Sequence, residues 1–172
     1  MAGRVRSVER RREIPAPPAQ VWARVSRMAG VNDEFWPWLR MTVPRSFRGG
    51  SLDGLPLGEV AGRSWLLLLG FIPFDYDDLL IAEREPGRRF RETSTMLSMS
   101  RWEHERTLEP RDGGAGTVVH DRLTFELRKP LARVPGLGAA VTSAVSALFA
   151  HRHRRLERAF RPAGPRGWPL GT

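Results

Sequence analysis

The residues best suited to chemistry lie on two alternating segments, Arg101 to Glu109 and Thr117 to Arg128, separated by the turn sequence PRDGGAG. Successive side chains of a strand point to opposite faces. Trp102, His104, Arg106 and Leu108 therefore share one face of the first arm. Val119, Asp121, Leu123, Phe125 and Leu127 share one face of the second. The opposite faces carry Glu103, Glu105 and Thr107, and His120, Arg122, Thr124, Glu126 and Arg128, so the more apolar pair of faces is expected to point inward. A loop centred near Gly113 pairs Arg106 with Asp121, His104 with Leu123 and Trp102 with Phe125. A slip of two residues puts Asp121 opposite His104 instead. Either register brings a carboxylate, an imidazole and a guanidinium to the inner face, where an unpaired charge is costly. Three roles are open to this group. It can be an ion pair that fixes strand register, or a polar anchor that orients a ligand's carboxylate, hydroxyl or carbonyl in an apolar cavity. The third is acid–base chemistry at His104, for which the sequence fixes no second partner.

Other constellations are weaker. His151 and His153 stand two residues apart on an expected helix, about 200° around its axis, and cannot chelate one ion together. His153 and Glu157 face the same way, but two ligands make a poor site. The run HRHRRLER is read as a solvated basic face. Gly136-Leu-Gly138 opens a helix after a strand, yet Val141 occupies the third glycine position of a dinucleotide fingerprint and no strand follows. Asp75, Asp77 and Asp78 form the acidic cluster, read as hairpin-edge charge; Asp75 and Asp77 share a face and could together hold a cation. No Ser-His-Asp motif, phosphate loop or zinc spacing is present, and no metal or cofactor is expected. Aromatic and arginine residues are too sparsely interleaved for a single-strand nucleic-acid platform.

The elements that must position these groups follow from periodicity and punctuation. Val5 to Ile14 reads as an edge strand. Pro17 and Pro18 suit a helical first turn, and Val21, Trp22, Val25 and Met28 form an apolar stripe that Gly30 ends. Asp33 is placed to cap a second short helix through Trp36 to Leu39, interrupted by Pro37. Residues 41–47 read as a strand, and Ser46 to Gly62 as a glycine-broken loop. Arg63 to Gly70 is apolar on both parities, as in a strand buried on both faces. Asp75 to Arg84 and Arg88 to Thr95 flank the turn Glu85 to Gly87 as a hairpin. From Leu131 onward, Val134, Leu137, Val141, Val145, Leu148, Leu156 and Phe160 fall at mostly helical spacing over about eight turns. The order strand, two helices, about six strands, long helix describes an α+β domain over residues 1–161, a curved antiparallel sheet wrapped around one helix. The Pro/Gly-rich residues 162–172 are expected to be disordered.

Composition narrows the class. The chain has 172 residues, no cysteine and a net charge of +9, which excludes disulfides and thiolate chemistry. The first 28 residues and the last 22 each carry +5, and the stretch between carries −1. Lys129 is the sole lysine, so the bias toward Arg, Gly and Pro reads partly as codon usage. Binding of anionic lipid or nucleic acid by the basic ends is the lesser reading. The start MAGRVRSVERRRE lacks the apolar core of a signal peptide. The longest apolar run, Trp65 to Ile72, is too short to span a bilayer. A cytoplasmic monomer or homodimer is expected.

The chain resembles the START/Bet v 1-like (SRPBCC) superfamily, including its bacterial polyketide cyclase-like members. The segments that carry the resemblance are EIPAPPAQVWARVSRM, FDYDDLLIAEREPGRRFRE with SMSRWEHERTLEP, and TVVHDRLTFELRKPL followed by LFAHRHRRLERAF. It spans most of residues 4–161. It implies a helix-grip fold, with a curved sheet gripping the C-terminal helix around a hydrophobic cavity. It carries over no catalytic residue, because the superfamily shares no catalytic signature.

The expectation is a protein that binds or transports a small hydrophobic molecule, such as a lipid, polyketide or aromatic compound, with peripheral membrane contact as an accompaniment. Trp65, Trp102 and Phe125 would supply apolar wall. His104, Arg106 and Asp121 would supply the polar end. Trp38, within Phe35 to Arg40, would stand at the entrance. The alternatives are a cyclase or dehydratase with His104 as acid or base, and a basic surface binder.

Overall fold

A computed structural model describes residues 4–47 and 50–161. The expected disorder of 162–172 lies outside them. The elements are β1 (Arg6–Ile14), α1 (Pro18–Val25), α2 (Met28–Phe35), β2 (Leu39–Met41), β3 (Val60–Leu68), β4 (Ile72–Glu85), β5 (Arg89–Met96), β6 (Met99–Arg111), β7 (Gly116–Leu127), α3 (Lys129–Ala132) and α4 (Leu137–Phe160). The strands form one seven-stranded antiparallel sheet in the order β1-β7-β6-β5-β4-β3-β2. The sheet curls around α4, which makes the protein a helix-grip α+β fold, as expected.

The early helices differ from expectation for local reasons. α1 buries Val21, Trp22 and Val25 and stops there, with Ser26 as its C-cap. Arg27 is extended, and α2 starts at Met28. Gly30 is not a terminator but the close-approach point between the two helices. A Cβ there would sit 2.1 Å from the Arg24 carbonyl oxygen. Asp33 lies inside α2 rather than capping a helix through Leu39, and it binds Arg24 and Arg155, the latter at 2.7 Å. Pro37 holds Trp36 in extended backbone (φ −59°, ψ 139°), since a residue before proline avoids the helical region. The chain therefore leaves the helix before Trp38.

β2 covers only Leu39–Met41, and a single turn of 3-10 helix at Arg45–Phe47 replaces the rest of the strand expected over 41–47. Pro44, between them, cannot extend a ladder. β3 is not buried on both faces. Trp65 is 45% and Leu68 44% exposed, because the helices cover only the concave face of the sheet. The C-terminal helix is also shorter than expected. Pro135 and a left-handed Gly136 (φ 75°) separate α3 from α4, which leaves Val134 in solvent. Gly138 gives room to the Arg6 guanidinium, whose Nη2 would lie 2.0 Å from an added Cβ.

Two apolar clusters flank the interior. One joins α1 and α2 to Leu79, Ile81, Phe90 and Leu156. The other joins Trp102, Leu123, Phe125 and Leu127 to Phe149. Leu156 on α4 is fully buried. Leu156→Ala is expected to cost about 2–5 kcal/mol, whereas Arg158→Ala, exposed on the same helix, should stay within about 0.5 kcal/mol. Urea unfolding midpoints measure both.

Candidate functional site

β6 and β7 pair in the unslipped register, with Arg106 opposite Asp121, His104 opposite Leu123 and Trp102 opposite Phe125. The polar contacts nevertheless combine both expected arrangements. Arg106 donates side-on to Asp121 through Nε and Nη2, each at 2.7 Å. His104 reaches diagonally to the same carboxylate, Nε2 to Oδ1 at 2.8 Å. Two further elements join. His153 of α4 places Nε2 2.6 Å from Asp121 Oδ2. Glu34 of α2 accepts from Arg106 Nη1, 3.1 Å to each oxygen, and from Arg152 Nη2 at 3.0 Å. All six side chains are buried.

Burial by itself would raise the Asp121 carboxyl, but the Arg106 guanidinium, followed by His104, overrides it and holds Asp121 well below the usual carboxylate range. For Arg106, burial works against the charge, yet Asp121 and Glu34 push its pKa above the ordinary arginine value. Burial lowers Arg152, and nearby Arg106 adds to this against the opposing pull of Glu34. Arg106 is thus the central cation, clamped between two carboxylates.

Beside this network lies a cavity of about 410 Å³. Its wall is mainly apolar, with Phe35, Phe90, Trp102, Val145, Leu148 and Phe149 among its lining. The ionisable side chains that reach it are Asp75, Asp77, Glu92, His104 and Arg152.

Of the residues expected at a site, Trp102 and His104 line this cavity. Arg106, Asp121 and Phe125 do not. They are buried behind the wall, where Asp121 holds His104 from below. Trp65 and Trp38 do not line it either. Trp65 stands on the convex face against Tyr76, with ring centroids 5.7 Å apart. Trp38 is 53% exposed and packs edge-on to the His151 ring. Its neighbours Phe35 and Leu39 line the cavity in its place.

The basic helical run is not a wholly solvated face. Arg152 and His153 are buried, and the phase set by Phe149 and Leu156 turns them inward. His151 and His153 do diverge as geometry required. His151 Nε2 lies 2.9 Å from the Trp36 carbonyl oxygen, far from Asp121. Asp75 and Asp77 are buried on the concave face rather than at an exposed hairpin edge, and the alternation Asp75, Asp77, Leu79, Ile81 was the signal for it. Glu34 had no comparable signal, since the helix boundary expected there falls elsewhere. Among the described residues, no group of three His, Asp or Glu side chains is placed to hold a metal ion. No helix there is long and apolar enough to cross a membrane.

A curled antiparallel sheet, an inner helix and a cavity between them define the START-like class of fold, and solved structures agree. A START superfamily protein from Mycobacterium smegmatis superposes with a TM-score of 0.64 at 15% identity, covering 90% of this chain and 96% of that one. The Zhui aromatase/cyclase from Streptomyces sp. R1128 gives 0.56 at 19% identity, over 94% and 99%. The protein TTHA0849 from Thermus thermophilus gives 0.54 at 20%, over 91% and 100%. The chain belongs to the family described as a domain of unknown function, DUF8410, whose pattern matches residues 12–160. No curated protein sequence matches it.

Removing one partner of a buried pair typically costs about 3–5 kcal/mol, so Asp121→Asn is expected to destabilise by that order. Because Asp121 is depressed in the folded state, its stabilisation is present above the unfolded carboxyl value of about 3.9 and is lost as pH falls through the folded one. Urea titrations between neutral pH and about pH 3 should therefore show a shallower acid decline in Asp121→Asn than in the wild-type chain.

Proposed function

We propose that this protein binds a small, predominantly apolar molecule in the cavity between the sheet and α4, within a single domain spanning residues 1–161. The observation that carries the reading is the cavity itself. At about 410 Å³ it falls within the roughly 300–1,000 Å³ of small-molecule sites, and its mix of apolar wall and a few convergent polar groups is typical of them. Its rim is apolar as well. Phe74 lines the cavity yet is half exposed. Phe71, at the tip of the β3–β4 hairpin, is 71% exposed, and Gly70 beside it packs against the Trp36 ring. An entrance here lets an apolar ligand leave water in stages.

The basic ends favour a surface role less. Arg12 of β1 and Arg161, just past α4, both bind Glu157, and Arg24 and Arg155 share Asp33. Four of the terminal arginines are thus held at two carboxylates.

One observation favours turnover as a second reading. His104 is oriented by Asp121 through Nε2, and its ring lies on the cavity wall, the arrangement of a positioned acid or base. The aromatase/cyclase among the structural neighbours is compatible with this.

Native mass spectrometry of the purified protein is expected to show a discrete added mass that disappears on denaturation. Val145→Trp should fill the space between α4 and the sheet and cut uptake of that compound by at least about tenfold, with the fold kept by circular dichroism. Undiminished uptake by Val145→Trp would place the ligand elsewhere. Under the second reading, His104→Gln retains the bound compound but abolishes its conversion.

A further inference from the structure

The charges on the cavity wall do not cancel evenly. Arg152 is engaged by Glu34 at 3.0 Å. Asp75 is filled by the backbone N–H groups of Tyr76 and Leu97, each at 2.8 Å, and by the Ser98 hydroxyl. His104 has Nε2 on Asp121, and its Nδ1 stops 3.9 Å from Glu92 Oε2, beyond hydrogen-bond reach. Two wall groups are left. Among the described residues, Glu92 accepts only the Ser94 hydroxyl, at 3.1 Å. Asp77 is 1% exposed, and among the same residues nothing hydrogen-bonds its Oδ1.

Asp77 on β4 and Glu92 on β5 face the same side of the sheet and act on one another. Burial, and then the Glu92 charge, raise the Asp77 carboxyl well above the usual range. Among the described residues, no guanidinium or ammonium group pairs with either carboxyl to offset them. The neighbouring charged groups, Asp75 and Asp78 on β4, His104 on β6 and Arg152 on α4, are engaged elsewhere; Asp78 pairs with Arg63 at 2.8 Å on the convex face. A buried acceptor without a donor is unfavourable, and a like-charged pair compounds the cost.

We propose that Asp77 and Glu92 form the seat for a protonated amine, so that the cavity's ligand is an apolar or aromatic body carrying one primary or secondary ammonium group. The proposal rests on the reading of the cavity as a ligand site and names the class of ligand. An ammonium group supplies a donor to each carboxyl and cancels their repulsion. A hydroxyl supplies one donor and no charge, and a carboxylate ligand would be repelled. The aromatic wall suits the same guest. Phe90 lines the cavity two residues along the same face from Glu92, and ring faces attract ammonium groups.

The test is isothermal titration calorimetry of the full chain with 1-naphthalenemethylamine and its isosteric alcohol, 1-naphthalenemethanol, at pH 7.5 and pH 5. The amine is expected to bind at least about tenfold more tightly than the alcohol at pH 7.5. The preference should shrink at pH 5, where the raised Asp77 carboxyl is more fully protonated. Asp77→Asn and Glu92→Gln should each erase most of the preference and leave the alcohol's affinity nearly unchanged. Folding of the variant is checked independently. A raised carboxyl loses stability as pH climbs from the unfolded value toward the folded one, so Asp77→Asn should melt no lower than the wild-type chain at pH 7.5. Binding of the alcohol without an amine preference, or a preference that survives both substitutions, overturns the amine seat and leaves the apolar cavity reading intact. Failure of both compounds to bind counts against both.

Discussion

A carboxylate with no access to water must be surrounded by donors, and Asp121 imposes that condition on the whole interior. Arg106 meets it from the neighbouring strand, His104 from two residues further along that strand, and His153 from the helix. Arg106 in turn needs Glu34, and Glu34 needs Arg152. Removing any one member strands a buried charge, so β6, β7, α2 and α4 are held in one mutual geometry. The anchor sits in the second half of α4, where Phe149, Arg152, His153 and Leu156 are buried. The first half, with Val141, Val145 and Leu148, stands along open space instead. The cavity lies beside a helix half that the ion network and the apolar contacts of Phe149 and Leu156 together hold against the sheet.

Strand chemistry was largely legible in the sequence, because a period of two leaves little ambiguity once one face is apolar. Parity yields the Arg106–Asp121, His104–Leu123 and Trp102–Phe125 pairs as one of two registers. The same parity argument applied to β4 would have turned Asp75 and Asp77 inward with Leu79 and Ile81. Helical phase was harder to read. Arg152 and His153 lie in a run of basic residues whose composition suggests solvent, and only their spacing from Phe149 and Leu156 reveals the buried side. Glu34 was hidden by a helix boundary that Gly30 and Pro37 made ambiguous. Trp65 was misjudged because an apolar strand reads the same whether or not a second layer covers it, and the sheet has a layer on one face only.

The chain's strongly positive balance also changes meaning in three dimensions. The buried network is nearly self-compensating, with two guanidinium groups matched to two carboxylates. At the surface Glu157 gathers arginines from both ends of the chain. Asp77 and Glu92, two acidic residues with no guanidinium partner among the described residues, are on the inside. A protein basic by composition therefore carries Asp75, Asp77 and Glu92 on its cavity wall, beside His104 and Arg152.

The network also spans very unequal lengths of chain. Arg106 and Asp121 are 15 residues apart, His153 and Asp121 32, Arg106 and Glu34 72, and Glu34 and Arg152 118. Loop-closure entropy rises with separation, and contacts between distant segments slow the search for the native state. The β6–β7 hairpin pair is the easiest link to form and the Glu34–Arg152 link the hardest. Time thus enters the architecture. The hairpin ion pair is local, whereas the water-free interior around it is complete only where the first helices and the last one meet.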